Sequence, residues 1–347
     1  GPGGSGNNFV AFAGEWLSTL VDGKYDIIGF DPRGTNLTGP WTECFETEAK
    51  PIWSQLQLEV LGVPYPHSDF HSDRALVSKI SALQATHNAA CLRYGNRNML
   101  ESTGTTSVVH DMVRIVEALG EDGITYWGCS YGTVLGATFA AMRPDLVKRM
   151  VLDGVADAEA WFNDVWRWGN SNVTQTTETL RKRLDAIFAR LGDRPSVVAD
   201  SPLGPGIFTA SNLQKLILPL LYKPVTWPGL MQILTSIEQG DATSAYTAVY
   251  SPYMNVMPQP YNQNVFNRSM QHHFLSRESQ YSVLCADTTP TNISVDEYTS
   301  YFREMGKLSP TGENWARVVG GCNGWSFQAN QRYTGPWSVE AGLKKTR

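Results

Sequence analysis

Ser130 lies in the pentapeptide Gly128-Cys129-Ser130-Tyr131-Gly132, which matches the pattern G-x-S-x-G. In that pattern the serine is held at a sharp turn between a strand and a helix, and its hydroxyl is presented for nucleophilic attack. Glycines two residues away on either side leave room for such a turn. The pattern therefore predicts a nucleophile that forms an acyl-enzyme. The alternative is an ordinary serine in a strand-to-helix turn.

A negatively charged intermediate at Ser130 would need hydrogen-bond donors. The amide of Tyr131 would begin the following helix, where backbone N–H groups and the helix dipole favour negative charge. The glycine-rich run over residues 1–6 offers unhindered amides, and Gly1 and Gly3 are the candidates. This run lacks the Lys-Ser/Thr of a P-loop, which disfavours a phosphate cradle. An ordinary glycine-rich loop remains the other interpretation.

Strands and helices alternate around the pentapeptide. Short apolar runs predict strands at 25–30, 124–127 and 149–152, while helical spacing predicts helices over 107–119 and 132–142. This order predicts an α/β core over residues 1–156, with a parallel sheet and helices on its faces. A further helix is predicted before the first strand, with an apolar face made of Phe9, Phe12, Trp16, Leu17 and Leu20.

Residues 157–330 are predicted to form a mostly helical second domain, a cap over the core, and residues 331–347 to begin a return to the core. Helical periodicity is found at 180–191, 213–222, 230–237 and 298–305, without further strands. Five aromatic or apolar side chains cluster at its start: Trp161, Phe162, Val165, Trp166 and Trp168. They would pack the cap against the core or line a substrate pocket.

The five cysteines and four sequons predict a secreted glycoprotein. Cys129 lies inside the G-x-S-x-G motif and is left free. The other four allow three pairings, of which nearness in sequence favours Cys44–Cys91 and Cys285–Cys322; the alternative is four buried thiols. The N-x-S/T sequons predict glycosylation at Asn36, Asn172, Asn267 and Asn292.

Composition excludes several classes of function. Lys+Arg 28 against Asp+Glu 33 gives a net charge of −5 without a basic block, which argues against nucleic acid as a partner. No apolar run reaches about 18 residues, so no membrane span is predicted. His67 and His71 are spaced i, i+4, but their Pro-, Ser- and Asp-rich surroundings do not favour a helix. We therefore predict neither metal nor cofactor.

Four motifs occur in a familiar order: the glycine run 1–6, Asp31-Pro32-Arg33-Gly34, residues 126–133 and residues 151–155. Together they resemble the α/β-hydrolase peptidases of the prolyl and tripeptidyl aminopeptidase family, most of all its secreted fungal branch. The segments 285–287 and 322–325 are similar to cap-domain landmarks of that group. The resemblance implies an α/β-hydrolase fold with an inserted helical cap.

The same resemblance implies an exopeptidase that acts on peptides with a free N-terminus, because such enzymes release residues or short peptides from that end. An acidic anchor for the substrate's amino group is then expected in the cap, and Glu238, Glu278 and Asp287 are the candidates. An esterase on the same fold is the alternative. A second alternative is a catalytically dead relative that binds peptides.

A serine hydrolase of this type also needs an acid and then a histidine after the nucleophile in chain order. The six histidines are His67, His71, His87, His110, His272 and His273, and none lies near residue 347. We therefore expect a piece of a longer protein, with the acid and the histidine beyond Arg347. Removal of the base lowers kcat by roughly 10⁶, so the isolated chain is predicted to be inactive.

Overall fold

The computed structural model describes residues 1–47, 49–65, 68–166, 178–254 and 277–337. In the first half the elements are α1 (Gly6–Leu20), α2 (Ala49–Leu61), α3 (Phe70–Tyr94), α4 (Arg97–Leu100), α5 (Thr105–Ala118), β1 (Ile124–Cys129), α6 (Tyr131–Met142), β2 (Val147–Asp153) and α7 (Ala158–Asn163). The second half contains α8 (Glu178–Asp193), β3 (Ser196–Val198), β4 (Gly206–Phe208), α9 (Ala210–Leu221), α10 (Trp227–Glu238), α11 (Thr243–Met254), α12 (Arg277–Asp287), α13 (Val295–Leu308) and α14 (Gly312–Gly320).

Strands β1 and β2 pair in parallel, as predicted, with Gly128 opposite Leu152 and Cys129 opposite Asp153. Helix α6 connects them and packs on both strands and on α5. Val108 and Met112 of α5 are buried here in one apolar cluster with Leu135 and Phe139 of α6, and Val116 of α5 is buried as well. Parallel strands joined by a crossover helix are the unit of an α/β fold.

Residues 25–30 do not form the predicted strand. A strand needs a neighbour that completes its backbone hydrogen bonds, and no described segment pairs with this one. Instead, the segment packs against the start of α1. An ideal Cβ on Gly6 would lie 2.2 Å from the Phe30 carbonyl oxygen, and one on Gly29 would lie 2.2 Å from the Gly6 carbonyl oxygen.

The predicted helix α1 is present, but its apolar face is largely exposed. Phe12 is 84% exposed and Trp16 is 59% exposed, and Phe9 and Leu20 are exposed as well, whereas Leu17 is buried. Helical spacing correctly predicted the helix, but burial of its face requires a partner surface. The two-stranded sheet of the described residues covers only part of that face, where Trp16 contacts Trp127 at 6.4 Å between ring centroids.

Two disulfide bonds join Cys44 to Cys91 and Cys285 to Cys322, and Cys129 is free, as the sequence predicted. Both disulfides lie in the largest apolar cluster, which contains side chains of α3, α7, α12, α13 and α14. The cluster draws on both sides of residue 156, and the domain limits at 156 and 330 stay a prediction. Within the described residues, no helix has both the length and the apolarity needed to cross a membrane.

A second apolar cluster is formed by α8 to α11. Helices α8, α9 and α10 were predicted, whereas α11 was not. The expected absence of further strands was not correct either, because β3 and β4 form a short antiparallel hairpin, with Val197 opposite Ile207. Each strand has three residues, which is too short for an alternating pattern to be recognised in the sequence. Val198 and Phe208 bury the inner side of the hairpin against the helices.

Candidate active site

Ser130 lies between the end of β1 and the start of α6, with backbone angles φ 55° and ψ −119°. A residue other than glycine rarely adopts a positive φ, and such strain is typically found at functional sites. Three hydrogen bonds hold the turn. The Ser130 amide donates to the Asp153 carbonyl oxygen at 3.0 Å. The Ser130 carbonyl oxygen accepts from the Thr133 amide at 2.8 Å and from the Thr133 hydroxyl at 2.6 Å.

The glycines of the motif are required by close packing. An ideal Cβ on Gly128 would lie 2.3 Å from the Gly132 carbonyl oxygen, which already accepts from the Tyr126 hydroxyl at 2.8 Å. A Cβ on Gly136 would lie 2.7 Å from a methyl carbon of Leu152. Helix α6 therefore approaches the strands more closely than any larger residue would permit. These contacts fix the position of α6 relative to the strands, and they thereby fix the turn at Ser130.

The Ser130 hydroxyl is half-buried and does not cap α6. Within the described part of the chain it forms no hydrogen bond to another side chain. The N–H groups in the first turn of α6, including that of Tyr131, are thus left without a side-chain cap. An uncapped helix N-terminus beside an unbonded hydroxyl is the arrangement that an oxyanion site needs.

The side chain of Tyr131 points into the core and anchors the residue after Ser130. It is buried, its ring centroid lies 5.1 Å from that of Trp161, and its hydroxyl is 2.7 Å from the Thr105 hydroxyl. The Thr105 hydroxyl donates in turn to the Asp287 carboxylate at 2.5 Å. A chain of hydrogen bonds thus extends from α12, through the start of α5, to the turn that carries Ser130.

The glycine run forms a tight turn next to β1. The Gly4 amide donates to the Gly1 carbonyl oxygen at 2.9 Å, and Gly3 has φ 73°, as the third position of a type II turn after proline requires. Gly1 lies near the Cys129 side chain at the end of β1. A Cβ on Gly3 would lie 2.7 Å from the Gln280 amide nitrogen, so the turn rests on α12.

Asp31 fixes this glycine turn relative to the rest of the fold. Its carboxylate accepts from the Asn7 amide at 3.2 Å and the Asn36 side chain at 2.8 Å, as well as from the Ser5 hydroxyl. Although burial raises the pKa of Asp31, the hydrogen bonds, led by that from Ser5, lower it below its ordinary value. In the sequence, Asp31 is recognisable only as part of the Asp31-Pro32-Arg33-Gly34 motif. Its partners lie up to 26 residues away, and no local signal indicates them.

Asn36 is buried, and its side-chain nitrogen donates to both Asp31 and Ser5. A buried amide nitrogen that already donates hydrogen bonds is poorly available to a glycosyltransferase, so the folded structure disfavours the predicted glycan at Asn36. Asn292 is exposed. Asn172 and Asn267 lie outside the described residues.

The described histidines do not complete a triad. His71 and His110 are exposed, and His87 is buried in the largest apolar cluster between the rings of Phe45 and Tyr281. Burial, assisted by the nearby Arg277 charge, lowers the pKa of His87 to about 3. None of these three bonds to Ser130 in the part of the chain that the structure describes. The histidines at positions 67, 272 and 273 lie outside that part.

Of the three predicted anchors for a substrate amino group, Asp287 is placed least favourably for that role. It is completely buried, and its carboxylate accepts from the Thr105 amide at 2.9 Å, the Thr105 hydroxyl, and the Trp161 indole at 2.9 Å. Burial raises its pKa to about 6. The carboxylate has no free face for a substrate. It holds the start of α5, whose preceding residue, Gly104, provides no cap.

Glu238 and Glu278 are placed very differently. Glu238 is the last residue of α10, and both of its carboxylate oxygens accept hydrogen bonds from Arg183, at 3.0 and 2.7 Å. Glu278 lies in the first turn of α12, next to Ser279, on which Gly3 rests. The structure therefore brings Glu278, and not Glu238, to the glycine turn.

The aromatic cluster at the start of the predicted cap contributes to packing. Trp161, Phe162 and Val165 are completely buried in the largest apolar cluster, and Trp166 stacks edge-on against Tyr301 at 4.7 Å. Trp168 lies outside the described residues. Substrate contact is therefore not available to the three buried members.

Among the described residues, one group of side chains has the composition of a metal site, namely Cys44, His87 and Cys91. Both sulfur atoms belong to a disulfide bond, with an S–S distance of 2.01 Å. A disulfide sulfur is not a thiolate, and the thiolate is the form that binds metal ions. This group is consequently a buried structural cluster in the oxidised protein.

Comparison with known proteins agrees with this geometry. Serine protease Hip1 of Mycobacterium tuberculosis is 33% identical over 160 residues, which cover 46% of this chain and 29% of that protein. The tripeptidyl aminopeptidase of Streptomyces lividans is 28% identical over 270 residues, which cover 72% of this chain and 47% of that protein. The chain thus spans about half or less of the length of these curated relatives. Residues 1–207 match the family described as the alpha/beta hydrolase fold, and the chain belongs to that family.

Proposed function

We propose that the full-length gene product is a serine hydrolase in which Ser130 is the nucleophile. The observation that carries this proposal is the strained backbone of Ser130, at φ 55°, between a parallel strand and an uncapped helix. The turn is held by backbone contacts and by Thr133, while the hydroxyl is left unbonded within the described residues. Strain that is maintained around an available nucleophile is typical of an active site.

In this mechanism the Ser130 hydroxyl attacks the carbonyl carbon of the substrate and forms a tetrahedral intermediate. Its oxyanion accepts from the Tyr131 amide and from an amide of the glycine turn, at Gly1 or Gly3. A histidine takes the serine proton and an acid orients that histidine. Since the described histidines do not bond to Ser130, we assign both groups to residues outside the described ranges.

Peptides with a free N-terminus are the proposed substrates. The two relatives are named a serine protease and a tripeptidyl aminopeptidase, which supports a peptide substrate. Glu278 is the proposed anchor for the substrate's amino group because α12 carries it to the glycine turn. Residues 157–330 would act as a cap that admits chain ends, and residues 331–347 would lead back to the core.

The protein is further proposed to be a secreted glycoprotein. Two disulfide bonds support an oxidising compartment. Asn292 is exposed in its sequon, so the N292Q variant should lose the mass of one glycan when expressed in a eukaryotic secretory host. The N36Q variant should lose none, because Asn36 is buried. A glycan on Asn36 in a mass map would contradict the burial argument.

Substrate profiling of the full-length gene product tests the peptidase assignment. The panel is a tripeptidyl arylamide with a free amino group, the same compound N-acetylated, and a short aryl ester. We expect turnover of the free tripeptide, little of the acetylated one, and none by the S130A variant. Turnover of the ester alone would identify an esterase. No turnover of any compound would favour a catalytically dead relative.

The role of Glu278 is tested by a matched pair of variants. E278Q should raise KM for the free tripeptide by about tenfold or more, as loss of one charge-assisted contact implies, and should leave turnover of the acetylated compound unchanged. E238Q removes a carboxylate already paired with Arg183 and should leave both values unchanged. An equal effect of E278Q on both compounds would contradict an anchor for the amino group.

A further inference from the structure

Thr133 is the third residue of α6, and its hydroxyl group joins two segments of the chain. The hydroxyl donates to the Ser130 carbonyl oxygen at 2.6 Å and accepts from the Ala156 amide at 2.9 Å. The side chain is completely buried. Because the hydroxyl is out of contact with solvent, it has no water to replace either partner. Thr133 therefore connects the turn at Ser130 to the segment that follows β2.

The hydrogen bond from Ala156 distinguishes Thr133 from an ordinary helical threonine. A threonine inside a helix commonly donates to the carbonyl oxygen three or four residues earlier. Thr138 of the same helix does so, to the Val134 carbonyl oxygen at 2.7 Å, and it is equally buried. Of these two hydroxyls, that of Thr133 is the one that also accepts from an amide outside α6 within the described residues. Thr138 is therefore a matched control.

The segment from Asp153 to Ala156 holds the turn at two points. The Asp153 carbonyl oxygen accepts from the Ser130 amide at 3.0 Å. The Ala156 amide is connected to the Ser130 carbonyl oxygen through the Thr133 hydroxyl. Both backbone polar groups of Ser130 are therefore tied to the same segment. A strained conformation such as φ 55° persists only where the surrounding contacts determine it.

The Ala156 end of this connection is anchored in the core. Ala156 is buried in the largest apolar cluster. The helix that follows it, α7, packs on α6, and the ring centroid of Trp161 in α7 lies 5.1 Å from that of Tyr131. The Ala156 amide is therefore a fixed point, and the Thr133 hydroxyl relates the turn to it.

We propose that Thr133 is a positioning residue for the reaction of Ser130. Its hydroxyl holds the Ser130 carbonyl oxygen relative to the Ala156 amide, and this fixes the backbone angles that present the Ser130 hydroxyl to a substrate. The inference rests on the proposed role of Ser130 as the nucleophile, but not on which acyl compound is the substrate. A reacting group that is displaced by about 1 Å loses about 10²-fold in rate. Loss of the Thr133 hydroxyl should therefore lower kcat much more than it changes KM.

The experiment compares T133V, T133S and T138V in the full-length gene product, with whichever compound of the substrate panel the wild type turns over. T133V has nearly the shape of threonine but neither hydrogen bond, and its kcat should fall by about 10- to 100-fold at a nearly constant KM. T133S keeps the hydroxyl and should restore most of the kcat that T133V loses. The control T138V loses the bond within α6 and should keep the wild-type kcat and KM.

T133A provides a second variant in case T133V does not fold, because alanine removes the hydroxyl without placing a methyl group against the Ser130 carbonyl oxygen. Its kcat should fall as in T133V. Wild-type kcat in a folded T133V or T133A would overturn the proposal. An equal loss of kcat in T133S or in T138V would overturn it as well, since the effect would then not belong to the Thr133 hydroxyl.

S130A in the same assay separates this proposal from the one on which it rests. Turnover retained by S130A, or no turnover by the wild type, would overturn the nucleophile and with it the role of Thr133. Inactive S130A beside wild-type kcat in T133V would overturn the role of Thr133 alone.

Discussion

Ser130 and Asp287 are both polar residues at the end of a regular element, and their surroundings are opposite. Ser130 has strained backbone angles and a hydroxyl that is unbonded within the described residues. Asp287 is completely buried at the end of α12, and three donors satisfy its carboxylate. The Ser130 hydroxyl is therefore available for reaction, whereas the Asp287 carboxylate stabilises the surrounding structure.

The two residues are nevertheless connected. Asp287 accepts from Thr105, whose hydroxyl is 2.7 Å from that of Tyr131, the residue after Ser130. Asp287 also bonds the Thr105 amide at the start of α5, which packs on α6. The satisfied carboxylate thus positions the helix and the amide on which the proposed oxyanion site depends. Substitution of Ser130 should therefore affect catalysis, and substitution of Asp287 should affect the free energy of unfolding.

The largest effect is expected from S130A in the full-length gene product. Loss of a catalytic serine should lower kcat by about 10⁶, equivalent to about 8 kcal/mol of barrier, without a loss of stability. S130G should also be inactive, but more stable than S130A because glycine adopts φ 55° without strain. Peptide turnover and urea unfolding measure the two properties. Activity retained in either variant would contradict the role of Ser130.

D287A should mainly affect stability. It would remove the acceptor of the hydrogen bonds from the Thr105 amide and the Trp161 indole, and the free energy of unfolding should fall by about 3–5 kcal/mol. D287N keeps one acceptor oxygen and should lose less. Urea unfolding of both variants checks this order. Unchanged stability in D287A would contradict a structural role for Asp287. The contrast drawn between Asp287 and Ser130 would then be wrong.

Glu313 is another buried carboxylate, and it has fewer hydrogen-bond donors around it than Asp287 has. Within the described residues its side-chain donor is Gln214, at 2.8 Å, and burial raises the pKa of Glu313 to about 8. The folded protein then holds a proton that the unfolded chain has lost, so this group makes stability fall as pH rises from about 4.5 to about 8.

E313Q should remove that pH dependence and gain about 3 kcal/mol over the wild type near pH 7. Thermal unfolding from pH 4 to 9 measures it, with the exposed E304Q as the control. An identical pH profile for E313Q and the wild type would show that Glu313 does not titrate in this range. Glu59 has the opposite sign, because its lowered pKa contributes stability that is lost as pH falls from about 4.5 to about 2.

The sequence predicted those features that local patterns control. The strand-to-helix turn at Ser130 was identified because its glycines, the preceding apolar run and the following helix are adjacent in the chain. Nearness in sequence likewise favoured both disulfide pairings, which the structure contains. Most helices followed from the spacing of their apolar residues.

Features that depend on distant partners were not predictable in this way. The segment 25–30 has the composition of a strand but no described neighbour, and α1 has an apolar face that is largely exposed. The cations around Glu59 come from positions at least 156 residues away, and the donors to Asp287 are 126 and 182 residues away. No pattern in a single sequence indicates such contacts.

The central claim is that Ser130 is the nucleophile of a hydrolase, and covalent labelling tests it most directly. The full-length gene product is treated with a fluorophosphonate inhibitor, and its intact mass and peptide map are measured. We predict one adduct, on the peptide that contains Ser130, with parallel loss of hydrolytic activity, and no adduct in S130A. Labelling of a different residue, or hydrolysis that persists after Ser130 is labelled, would contradict the claim.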